Sequence, residues 1–266
     1  LITPKTKAIV PVHYAGVACD MDIIMDLAAK HNLFVVEDAA QAIDAYFTGR
    51  DGFKKPLGSI GHLAAFSFHE TKNIMSGEGG LLAINDERFI NRAEIIREKG
   101  TNRSAFFRGE VDKYNWVDLG SSFLPSDIIA AFLFAQIENL NEIQSRRKEV
   151  WNRYKENLKS IEEEGKLKLP ALPNFASNNA HMFYILLPDL ATRTSLITYL
   201  KDKGILSVFH YLSLHKSAFY ETKHDGRILP KSDYYTDTLL RLPLFFELTN
   251  EQVDFITNSI KKFFIE

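Results

Sequence analysis

The sequence predicts an α/β fold, with a large α/β domain over residues 1–160 and a smaller C-terminal α+β domain over 161–266. Three observations carry this. Apolar runs at 7–12 and from Leu33 to Val36 flank a helical pattern, which makes a βαβ unit and so a parallel sheet with a right-handed crossover. Two further runs, 63–66 and 80–84, read as strands on either side of a glycine-rich turn. The solvated stretch Glu162-Glu163-Glu164-Gly165-Lys166 then marks the passage to a second domain.

In chain order, Asp20 is placed to cap a helix on which Ile23, Ile24, Leu27 and Ala28 recur at helical spacing. Residues 123–161 form a long helical stretch with Pro125 in its first turn. There Ile128, Ile129, Phe132, Phe134, Ile137 and Leu140 cover more than one face, which fits either contact with a second subunit or burial inside the domain. Leu196, Ile197 and Leu200 mark a helix and 206–209 a strand. Thr249-Asn250-Glu251-Gln252 is a capping box for a last helix that turns Val253, Ile256, Ile260 and Phe263 inward.

Composition sets limits. At 266 residues, 45% hydrophobic and 25% charged, the chain can bury a sizeable core, and a net charge of −2 gives no general pull toward nucleic acid or an anionic membrane. One cysteine, Cys19, leaves no disulfide framework and no cysteine-rich metal site. No apolar run is long enough to span a bilayer, so a cytoplasmic protein is expected.

The chemistry concentrates in two segments. Phe66-Ser67-Phe68-His69-Glu70-Thr71-Lys72-Asn73 runs into Ser76-Gly77-Glu78-Gly79-Gly80, which sets one lysine in a tight turn between strands. An amine held there loses hydration, its pKa falls, and it becomes able to attack a carbonyl, as a pyridoxal phosphate (PLP) Schiff base requires. A surface lysine on a hairpin is the plainer alternative. Upstream, Leu33-Phe34-Val35-Val36-Glu37-Asp38 ends a buried strand in a carboxylate, the end at which open α/β sheets bind ligands. Asp38 could keep a pyridine nitrogen protonated, and Gln41 could donate to the ring's phenolic oxygen. Alternatively Asp38 caps a helix. Glu37 is its rival, and alternation along a strand lets only one of the two face the ligand.

Together these motifs resemble the sugar aminotransferases that act on nucleotide-linked keto-sugars, a branch of the aspartate aminotransferase-like (fold type I) PLP enzymes. The resemblance also takes in Pro11-Val12-His13-Tyr14-Ala15-Gly16, Asp112-Lys113-Tyr114-Asn115, His210-Tyr211-Leu212-Ser213-Leu214-His215 and Leu242-Pro243-Leu244. Arg97-Glu98-Lys99-Gly100-Thr101-Asn102-Arg103 and Trp116-Val117-Asp118-Leu119-Gly120-Ser121-Ser122 are similar to the branch that aminates dTDP-4-keto-6-deoxyglucose at C4 for enterobacterial-type surface polysaccharide.

The resemblance implies a PLP-dependent homodimer that takes its amino group from glutamate. It implies that Lys72 and Asp38 are catalytic, that Ser67 bonds the cofactor phosphate, and that Asn115 reaches that phosphate from the other subunit. In that picture His215 lines the sugar pocket or is a buried, satisfied histidine. Lys99 and Arg103 meet the nucleotide diphosphate or are solvated helix-end charges. A dehydratase of the same fold would need histidine in place of Lys72 or an iron–sulfur cluster, and Lys72 and the lone Cys19 argue against both. The resemblance further leads one to expect an upstream segment bearing a phosphate-binding glycine turn and a ring-stacking aromatic residue. Another nucleotide-sugar 3- or 4-aminotransferase, and a binding or assembly module without cofactor, are the remaining alternatives.

Overall fold

Strand β1 (Ala8–Ile9) leads through helix α1 (Met21–His31) to β2 (Phe34–Asp38), and the two strands pair in parallel, as the βαβ pattern requires. The computed structural model describes residues 1–265. Asp20 caps α1 by accepting the Ile23 N–H at 3.1 Å, and Asn32 ends the helix in left-handed backbone. The buried face of α1 is Met21 and Ala28, not the expected stripe. Ile23 and Leu27 sit roughly 200–240° round the helix from Met21 and are exposed.

The hairpin of β3 (Tyr46–Thr48) and β4 (Lys54–Pro56) precedes β5 (Leu63–Ser67), which adds to β2 in parallel with Asp38 opposite Ala65. Strand β6 (Gly80–Ile84) returns antiparallel to β5, so the sheet order is β1-β2-β5-β6. Met21, Val35, Phe47 and Ala64 lie in its core. Helices α2 (Ile90–Arg97) and α3 (Arg103–Phe107) follow.

The expected single helical stretch is two helices, α4 (Asp127–Glu138) and α5 (Leu140–Glu163), which break at Asn139. Pro125 lies outside the helix. Ser126 is the cap, its Oγ accepting the Ile129 N–H at 3.3 Å, and this places the proline one residue before the cap. Helix α4 leaves Ile128, Phe132, Phe134 and Ile137 exposed, Ile128 at 82%, so burial within its own domain is not the answer for these residues.

Two compact units result: residues 1–142 with 173–179, and residues 143–172 with 180–266. The division therefore falls before 160/161. Its cause is the inner face of α5, where Val150, Trp151, Tyr154, Leu158 and Ile161 belong to the second core. That core is built on β7 (Phe183–Leu186), α6 (Leu190–Asp202), β8 (Val208–Phe209), α7 (Pro230–Thr238), β9 (Leu239–Leu242) and α8 (Asn250–Phe263), with antiparallel sheet order β7-β9-β8. Tyr154 stacks on Phe183 and donates to the Pro243 carbonyl at 2.9 Å, so its polar atom is satisfied in the core. The strand expected over 206–209 is only its last two residues; Leu206 is 76% exposed. Thr249 and Gln252 form the capping box of α8, with Val253, Ile256 and Ile260 buried and Phe263 partly so.

Candidate active site

Asp38 closes β2 at its carboxyl end and is half-buried. Its N–H donates to the Pro11 carbonyl (2.8 Å), and its carbonyl accepts the His13 N–H (3.0 Å). Oδ1 accepts the Ala40 N–H at 3.1 Å, a local turn with no helix behind it, so the helix-cap alternative drops out. Glu37 has the other face of the strand and is fully buried. Its carboxylate accepts from His13 Nε2 (2.9 Å) and from the backbone N–H groups of Gly58 (2.8 Å), Ile60 (2.8 Å) and Gly61 (2.6 Å). Burial disfavours the Glu37 charge, but His13 and these three donors outweigh it and lower the pKa. Burial likewise opposes charge on His13, yet Cys19 and Glu37 beside it raise its pKa to about 9. The rivalry between neighbours is thus resolved by environment: Glu37 is consumed by internal partners.

Lys72 lies in the β5–β6 connection and is half-buried. The connection is tightly bonded: Phe68 N–H reaches the Gly79 carbonyl (2.8 Å), Glu70 N–H the Gly77 carbonyl (2.9 Å), and Lys72 N–H the His69 carbonyl (2.9 Å). Gly77, at φ +81°, supplies the left-handed turn. Ser67, last in β5, is half-buried opposite Gly80, and its Oγ accepts the His69 N–H at 3.3 Å.

One residue ties the two segments together. Asn73 Nδ2, next to Lys72, donates to the Asn179 carbonyl (2.8 Å), and Asn179 Nδ2 donates to the carbonyls of Gln41 and Ile43 (2.8 Å each). Asn179 is fully buried. Gly16, at φ +73°, makes room for it: a Cβ there would fall 1.9 Å from Asn179 Oδ1. Gln41 Oε1 accepts the Ala15 N–H at 2.6 Å, which fixes the amide and leaves Nε2 as its donor end. Asp38, Gln41, Ser67 and Lys72 therefore belong to one bonded frame at the carboxyl ends of β2 and β5. Sequence reasoning missed Asn179, and missed that Glu37 and His13 form a buried pair. The glycine of Tyr14-Ala15-Gly16 was the available signal.

The other predicted residues lie elsewhere. Asn115 sits on an exposed loop, its N–H donating to Asn102 Oδ1 at 2.7 Å. Lys99 is exposed in left-handed backbone, and the Arg103 guanidinium stacks over the Phe107 ring, an arrangement in keeping with solvated helix-end charges. In the second unit His215 Nε2 lies 3.2 Å from Asp233 Oδ1, with its side chain 10% exposed: a satisfied, nearly buried histidine. Among the described residues no group of three or more His, Cys, Asp or Glu side chains could hold a metal ion, and no helix is long and apolar enough to cross a membrane.

A mixed sheet whose first three strands run parallel, with a carboxylate at the end of one strand and a lysine in the turn after the next, is the frame of a fold type I PLP-dependent enzyme. The profile of the DegT/DnrJ/EryC1/StrS aminotransferase family matches residues 1–261, and the chain belongs to that family. It is 31% identical to an uncharacterized protein of Methanocaldococcus jannaschii over 98% of this chain and 68% of the relative. It is similar to the solved aminotransferase from Psychrobacter cryohalolentis (TM-score 0.89, 27% identity, covering 100% of this chain and 70% of that one). It is also similar to Spr1654 of Streptococcus pneumoniae, designated a sugar aminotransferase and solved in PLP form (TM-score 0.84, 25% identity, 98% of this chain and 69% of that one) and in PMP form. The chain spans about two thirds of the length of these relatives. It is a sugar aminotransferase of this family, PLP-dependent like its relatives.

Proposed function

We propose that the chain moves an amino group from glutamate to the C4 ketone of dTDP-4-keto-6-deoxyglucose, acting as a dTDP-4-amino-4,6-dideoxygalactose transaminase in surface polysaccharide synthesis. In this reading it works in the cytoplasm as a homodimer. The observation that carries the catalytic part is the Asn73–Asn179–Gln41 bridge, which holds the Lys72 turn against the Asp38 strand end. The substrate rests on the likeness of residues 97–103 and 116–122 to that branch.

The residues present fit PLP: a half-buried carboxylate with one oxygen pinned by the Ala40 N–H, an amide with its donor end presented, a hydroxyl at a strand end, and a half-buried lysine. When bound, the cofactor supplies an electron sink for charge developing at the donor's α-carbon and at the sugar's C4. Asp38 would hold a proton on the pyridine nitrogen, Gln41 Nε2 would donate to the phenolic oxygen, and Ser67 Oγ would donate to the phosphate. Lys72 Nζ would be the covalent attachment point, and its amine would serve as the general base that takes the donor's α-proton and the general acid that returns it. The same amine would serve both half-reactions. Asn115 of a second copy would complete the phosphate contacts.

Incubating the protein with PLP, glutamate and dTDP-4-keto-6-deoxyglucose, then assigning the product by NMR, tests this. An axial C4 amine is expected. An equatorial C4 amine would assign the chain another product and no turnover of this sugar another substrate within the family, and a protein that keeps no bound PLP after desalting would be a binding module.

A further inference from the structure

Glu37 and His13 form a fully buried hydrogen-bonded pair directly behind the strand end that carries Asp38. A carboxylate taken out of water is costly, and a fold that needed only a filled core could place an apolar side chain there. What the pair does locally is close a ring. The Glu37 carboxylate bonds the His13 imidazole at 2.9 Å, the His13 backbone N–H donates to the Asp38 carbonyl at 3.0 Å, and the peptide bond from Asp38 to Glu37 completes the circuit. The other three donors to Glu37, the N–H groups of Gly58, Ile60 and Gly61, come from the turn that begins β5, the strand that leads to Ser67 and Lys72. Two residues beyond His13, the Ala15 N–H fixes Gln41. One carboxylate thus joins the loop after β1, the end of β2 and the entry to β5.

We infer that Glu37 and His13 are positioning residues that set the Asp38 carboxylate for its contact with the cofactor's pyridine nitrogen; the inference rests on the aminotransferase reading above. Their effect passes through Asp38, and neither side chain touches the cofactor. The Glu37→Gln side chain cannot accept four hydrogen bonds, since its amide nitrogen is a donor set among donors. His13→Gln removes the ring and leaves the three backbone donors to Glu37 in place, so it serves as the milder arm should Glu37→Gln fail to fold.

Two measurements decide. Hydrogen–deuterium exchange of the cofactor-free protein should quicken by about tenfold or more in peptides covering 37–42 in either variant, with peptides of α8 unchanged. Nitrogen-15 NMR of PLP labelled at its ring nitrogen should show that nitrogen protonated in the wild type and shifted toward the unprotonated position in His13→Gln and Glu37→Gln, as in Asp38→Asn. A wild-type ring-nitrogen signal in the variants, or exchange that quickens only at 58–61, overturns the positioning role and leaves the aminotransferase reading intact. A wild type that takes up no PLP overturns that reading, and the positioning role with it.

Discussion

At the scale of single residues, Lys72 is asked to do most. Replacing it with alanine removes both the attachment point and the proton carrier, so turnover should fall at least about 10²–10⁴-fold while the melting temperature barely moves; a coupled transamination assay beside a thermal melt checks both. Gly16 makes a different prediction. Its φ of +73° and the 1.9 Å approach of Asn179 Oδ1 leave no space for a Cβ. Gly16→Ala should therefore destabilise the protein by more than about 1 kcal/mol, read from the urea midpoint, and weaken PLP binding with it. The placement of Asp38 at a strand end and of Lys72 in the turn after the next strand was legible in the sequence because each follows a short apolar run. Asn179 was not legible. It stands 106 residues from the side chain it receives, and nothing in a single asparagine marks a buried bridge.

Secondary-structure elements were legible wherever a cap or a period was strong. Asp20 and Thr249 both cap as their sequences indicate, and the apolar face of α8 is the expected one. Residues 123–161 were harder, because propensity alone does not reveal the break at Asn139 or the cap at Ser126. The compact units divide earlier than residue 160 for a related reason: a charged linker after a helix looks like a boundary, but the helix before it already packs into the second core. Leu158 tests that assignment. Fully buried among Tyr154, Leu196 and Ile260, it should cost about 2–5 kcal/mol when cut to alanine, and exchange should quicken in the second unit's core strands.

For the molecule as a whole, two histidines set opposite limits on stability. Burial and the nearby Arg241 charge lower the His210 pKa to about 4, so the unfolded chain binds that proton first and stability is lost as pH falls from about 6.5 toward 4. His13 is raised to about 9, so its contribution is fully present below about 6.5 and is lost as pH rises toward 9. Thermal melts across this range should show the decline on both sides, and His13→Gln should flatten only the alkaline one. Ile128, Phe134 and Trp116 are 82%, 62% and 76% exposed, apolar surface of the kind that marks an interaction site. Sedimentation should accordingly report about twice the 30.3 kDa chain mass. Whether Lys72 carries the cofactor is read directly by saturating the protein with PLP, reducing with borohydride, digesting, and locating the pyridoxyl group by mass spectrometry. A single label on Lys72 is expected; a label on another lysine, or none, rules out Lys72 as the attachment point.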